Sequence, residues 1–97
     1  MKPIVLRGGA RTDLIEIQSW YGNERTGLGK EFLTNVTSKF VAIQANPHLY
    51  PRMSRNVRRS LLDRFPYAVY YVEAREEIAI LAVLHTSRKP GGWRSRL

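Results

Sequence analysis

The chain has 97 residues, of which 43% are hydrophobic and 10% aromatic, enough for one apolar core and too few for two, so residues 1–97 are expected to form a single domain. It contains no cysteine and two histidines far apart in sequence, which excludes a disulfide framework and gives no reason to expect a metal site or a cofactor. No run reaches the roughly 18 apolar residues needed to cross a bilayer, so a cytoplasmic protein without a membrane partner is expected, while a net charge of +8 calls for an anionic partner such as nucleic acid or an acidic protein.

The first predicted element is a strand in "KPIVLR", a short β-branched run stopped by Gly8 and Gly9. A helix follows in "TDLIEIQSWYGN". Leu14, Ile17 and Tyr21 recur at helical spacing, Asp13 and Glu16 have capping-box spacing, and Thr12 is an alternative N-cap. Gly22 and "RTGLG" break this helix. A second, "GLGKEFLTNVTSKFVAIQAN", carries Leu28, Phe32, Val36, Phe40 and Ile43 on one face and ends at "NPHLYP". Two helices joined by a short loop form an antiparallel hairpin.

From Val57 the apolar period changes to two. "VRRSLL", "FPYAVYYVE" and "EIAILAVLH" read as three sequential strands expected to pair antiparallel, with "AREE" as the last connection. Strict alternation puts Ile78, Ile80, Ala82 and Leu84 on one face of the final strand and Ala79, Leu81, Val83 and His85 on the other. Both faces are apolar. The helical hairpin covers one, so the other must be covered by the chain's own tail or by a partner. Residues 86–97 form that tail, which is basic and carries one tryptophan. The fold class is α+β: an N-terminal strand and an αα hairpin on one face of a small antiparallel sheet.

Taken in order, Ala10, Asp13, Leu14, Glu16, Ile17, Trp20 and Tyr21, then Leu28-Gly29 and Phe32-Leu33, "NPHLYP", "FPYAVYY", and Ile78 through His85 with Arg88, Pro90 and Trp93, form a pattern covering nearly the whole chain. It resembles the RelE/ParE superfamily of toxins from bacterial type II toxin–antitoxin modules. The resemblance implies the fold just described and a hetero-oligomer with a cognate antitoxin that wraps the toxin, here expected to be acidic. It also implies one of two targets. ParE-like members act on DNA gyrase without a nuclease centre, whereas RelE-like members cut messenger RNA in the ribosome. A non-catalytic, basic nucleic-acid-binding module is a third reading.

RNA cleavage requires a base for the 2′-hydroxyl, an acid for the leaving oxygen and cations for the developing phosphorane charge. His85, at a strand end, is the candidate acid or base; its structural alternative is a histidine bonded to the backbone. Arg88 is the candidate phosphate or carboxylate clamp. Arg58 and Arg59 point to opposite faces of their strand, and Arg59 is the one expected to share a cleft with His85. RelE-like nucleases usually carry an arginine in the motif equivalent to "PYAVYY", where this chain has Tyr67 and Ala68; Tyr67 is then a candidate hydrogen-bond donor or, more simply, a packing residue. This departure favours the gyrase reading.

In the tail, Arg88, Lys89, Trp93, Arg94 and Arg96 are candidate target contacts, with Trp93 stacking on a base. The preferred reading of Trp93 is that it folds back over the sheet, with Arg94 and Arg96 free for a target. Trp20 reads as structural and His48 as a loop residue.

Overall fold

The computed structural model describes residues 1–88 and 91–97; the candidate contact Lys89 lies outside the described residues. In chain order the elements are β1 (Ile4–Leu6), α1 (Gly8–Glu24), α2 (Leu28–Ala45), β2 (Val57–Leu61), β3 (Tyr67–Glu73) and β4 (Ile78–His85), followed by a 3-10 turn at Gly92–Arg96. The expected helices and strands are all present. β2, β3 and β4 pair antiparallel, and β1 joins parallel to β4, giving the order β1-β4-β3-β2 in a mixed sheet. The β3–β4 hairpin closes with Ala74 N–H on the Glu77 carbonyl at 2.8 Å.

The helical hairpin packs as its apolar periodicity requires. Ala10, Leu14 and Ile17 of α1 and Phe32, Val36 and Ile43 of α2 are buried against Val69, Tyr71, Ile78, Ile80 and Val83 of the sheet. The two helices approach closely at Gly29, where an added Cβ would lie 2.6 Å from the Gln18 carbonyl oxygen. Gly27 begins the α2 turn at a φ of 87°, which strains any residue with a Cβ.

The start of α1 differs from the capping expectation. The helix begins at Gly8 with Arg7 extended at the N-cap and no side-chain cap, and the Arg11 N–H reaches the Arg7 carbonyl at 3.0 Å. Asp13 and Thr12 therefore lie inside the helix rather than at its N-terminus. Freed from capping, Asp13 turns to β4 and the tail.

The second difference is in β4. Tyr70 pairs with Ala82 and Tyr71 with Ile80, so Leu81 is an extra residue in the ladder. This bulge puts Leu81 and Ala82 on the same face and reverses the phase beyond them. Val83 therefore packs under the helices with Ile78 and Ile80, while Leu81, Ala82 and Leu84 share the opposite face. That opposite face is not left for a partner. Trp93, 2% exposed, closes over it with Tyr70, Leu81 and Leu84, and Met53 packs at its margin.

Part of the β2 edge and the stretch of β4 beyond β1 are also engaged. Beside β2, the Arg59 N–H donates to the Pro51 carbonyl at 3.1 Å and the Met53 N–H to the Val57 carbonyl at 2.7 Å, which occupies part of an edge open to pairing. Beside β4, β1 ends at Leu6. Beyond it the Asp13 carboxylate accepts the Val83 N–H at 2.9 Å, and the Arg96 guanidinium donates to the Leu81 carbonyl at 3.3 Å. Side chains thus satisfy the backbone groups at the bulge.

Candidate target-binding site

The bulge decides what His85 can reach. With the phase reversed, His85 stands on the helix side of the sheet at the end of β4, opposite Tyr67. The two rings meet edge to face with centroids 5.1 Å apart. On one side of them opens a cavity of about 400 Å³ lined by Trp20, Tyr21, Pro66, Tyr67 and His85. On the other is a smaller one of about 130 Å³, lined among others by Asp13, Glu16, Tyr67, His85 and Arg88. A turn in which the Arg88 N–H donates to the His85 carbonyl at 3.0 Å brings Arg88 to this second cavity.

The tautomer of the neutral His85 ring follows from its partners. The Ser87 backbone N–H lies 3.1 Å from Nδ1, and the Ser87 hydroxyl lies 2.8 Å from the same atom. A backbone N–H only donates, so Nδ1 is the acceptor and the neutral ring carries its proton on Nε2. His85 therefore presents an N–H donor at its outer nitrogen.

Tyr67 is not an activated phenol. Burial raises its pKa above the ordinary tyrosine value of 10.0, and the nearby Arg88 charge opposes this only in part. Tyr21 is raised as well, first by burial and then by Tyr67. Both remain hydrogen-bond donors with apolar rings.

His85, Tyr67 and Arg88 thus come together as expected; the other candidates do not join them. Arg59 lies on the far strand of the sheet and lines a separate depression with Lys39, Tyr50, Pro51, Ser60 and Leu61, because its partner on β3 is Tyr70 rather than a residue near the His85 end. Arg58 turns to the loop after α2, donating to the Tyr50 carbonyl at 2.7 Å. Trp93 is buried and stacks on Tyr70 at 6.2 Å, so it is not displayed for a base, and the fold-back expectation holds.

Arg94 lies exposed over the Trp93 ring at 4.8 Å. Arg96 is not free for a target. Its guanidinium grips both Asp13 oxygens at 2.9 Å, drawn there by a partly buried carboxylate that has no other cation among the described residues. Gly9 leaves the space for it, since an added Cβ would meet Arg96 at 2.5 Å.

The residue missed by the sequence is Trp20. It is 57% exposed and lines the larger cavity, resting edge-on against Tyr21 at 5.1 Å. The available signal was its position, one residue off the stripe of Leu14, Ile17 and Tyr21 that faces the core. His48 is a loop residue as expected, paired with Glu73.

A solved chain from the chromosomal ParDE TA system of P. aeruginosa is similar in fold, with a TM-score of 0.74 at 21% identity over 88% of this chain and 96% of that one. No curated protein matches. Residues 4–90 match the family model described as ParE toxin of type II toxin-antitoxin system, parDE. A chain whose α1–α2 hairpin, mixed sheet and His85 end all fall within that match belongs to the ParE toxin family of type II toxin–antitoxin systems.

Proposed function

We propose that this type II toxin inhibits growth by acting on DNA gyrase and is neutralised by a cognate acidic antitoxin. The observation that carries the gyrase reading is the Ser87 N–H on His85 Nδ1. RNA cleavage needs a base to take the proton of the 2′-hydroxyl, and the outer nitrogen of this neutral imidazole already carries a proton, so His85 in this tautomer fits the acid role and not the base role. Tyr67, with a raised pKa, does not supply the missing base, and Arg59 stands at another part of the sheet. What remains is a recognition surface. Trp20, Tyr21 and Tyr67 offer apolar ring area, the His85 Nε2–H offers a donor, and Arg88 offers a planar cation suited to a carboxylate.

Such a surface fits a protein target better than a scissile phosphate. The grouping of His85, Tyr67 and Arg88 in one cleft is the observation that keeps ribosome-dependent messenger RNA cleavage as the second reading. The test is brief induction in growing cells, with plasmid topology and transcript integrity read from the same culture. Relaxed or cleaved DNA beside intact transcripts supports gyrase action. Fragmented transcripts beside normal supercoiling overturn it.

A further inference from the structure

A cluster of positive charge lies away from His85 and away from the tail. Arg52, Arg55 and Arg58 line a mostly polar cavity of about 130 Å³ together with His48, Asn56 and Glu73. Arg52 and Arg58 face each other across an antiparallel β-bridge. Directly opposed residues of this kind have Cβ atoms only about 4.5–5.5 Å apart, and like charges there are destabilising. The one carboxylate present, Glu73, is engaged by Lys2 at 2.9 Å and by His48. Among the described residues none of the three arginines forms an ion pair.

The loop that carries them is held in place. Met53 anchors it in the second core, and the Met53 and Ser54 N–H groups both reach the Val57 carbonyl, at 2.7 and 3.4 Å. One Arg58 nitrogen is fixed by the His48 and Tyr50 carbonyls at 3.2 and 2.7 Å, which leaves the rest of the fork for the cavity.

From this arrangement we propose that Arg52, Arg55 and Arg58 form a phosphate-binding site for the phosphodiester backbone of DNA. The cavity is small and mostly polar, which suits a phosphate better than the flat apolar face of a base, so it would read charge and shape without sequence. A protein segment is the poorer occupant, because the lining offers almost no apolar surface on which a side chain could anchor. The site goes beyond the gyrase reading and does not rest on it.

The test uses the purified toxin and labelled duplex DNA of random sequence, with affinity measured over a series of salt concentrations and no gyrase present. The variant is Arg52→Gln with Arg55→Gln, both exposed; Arg58 is left intact because it holds the loop. The control, Arg7→Gln with Arg11→Gln, removes the same charge from another exposed region. The proposal predicts that the first variant binds DNA about tenfold or more weakly and loses about 2 from the slope of log affinity against log salt, with the control near wild type. Equal losses in both variants would mean diffuse attraction and overturn the site. So would unchanged DNA binding with weakened antitoxin binding, which would assign the arginines to an acidic protein. Inorganic phosphate is titrated separately; saturable phosphate binding without DNA binding would make this a small-anion site and also overturn the DNA assignment.

Discussion

Trp93 and Arg96 show how differently two neighbouring tail residues are used. Trp93→Ala removes a buried ring from the second core, so it is expected to cost about 3 kcal/mol or more and lower the thermal midpoint by about ten degrees or more. Arg96→Ala leaves Asp13 without its cation and the Leu81 carbonyl without a donor. Its side chain is 26% exposed, so the expected cost is nearer 2 kcal/mol than the larger figure of a fully buried pair. Arg94→Ala removes only a surface cation–π contact, with an expected effect of about 0.5 kcal/mol. Thermal melts of the three single variants check this order; equal effects of Arg94→Ala and Arg96→Ala would contradict it.

Glu73 supplies a pH dependence. Its hydrogen bond from Lys2, aided by His48, holds its carboxyl below the ordinary glutamate value of 4.5 against the opposing effect of burial. A folded-state pKa lower than the unfolded one contributes stability that is present above the unfolded value and is lost as pH falls through the folded one. Wild type is therefore expected to be more stable than Glu73→Gln above about pH 5, with the two melting curves converging in more acidic solution. A gap that stays constant through that range would remove the ion pair from the account.

Among the elements, the close approach of the two helices at Gly29 requires a residue without a side chain. Gly29→Ala would push a Cβ against the Gln18 backbone of α1, which cannot yield as a side-chain tip can, and is expected to cost about 1–3 kcal/mol. A melt unchanged by this substitution would mean that the hairpin can open without penalty. The elements themselves were readable, because the stripes from Leu14 to Tyr21 and from Leu28 to Ile43 have a period that only a helix buries on one side.

The bulge was not readable. Leu81 and Ala82 lie in a strand apolar on both faces, so a phase reversal leaves no polar residue on the wrong side to reveal it. The same reversal governs the site, since it turns Val83 and His85 toward the helices. The Asp13–Arg96 clasp was hidden for another reason: its partners are 83 residues apart, and the local spacing of Asp13 and Glu16 imitated a helix cap. Grouping His85 with Arg88 needed only a turn of four residues and was visible, whereas placing Arg59 needed the β2–β3 register.

At the scale of the molecule, the chain supplies its own cover for the second sheet face, so a partner is not needed to bury it. The exposed apolar groups instead include Ile15 and Trp20 on α1, Val41 on α2, Leu49 in the loop after α2 and Leu61 at the end of β2. With a net charge of +8, association with an acidic antitoxin is expected to be accelerated electrostatically. Raising salt should therefore lower the association rate more than it raises the dissociation rate in stopped-flow mixing. A salt-independent association rate would argue against an acidic partner.

The central claim is that this ParE-family toxin acts through recognition at the Trp20–Tyr67–His85–Arg88 surface rather than by cutting RNA. Its most direct measurement is a reconstituted supercoiling reaction with purified gyrase, relaxed plasmid and ATP, run beside a ribosome-bound messenger RNA with the same toxin preparation. The account predicts that wild-type toxin stops supercoiling or leaves cleaved plasmid, that Trp20→Ala with Arg88→Ala relieves the effect without loss of fold, and that the messenger RNA stays intact. Cleaved messenger RNA with undisturbed supercoiling, abolished by His85→Ala, would contradict it.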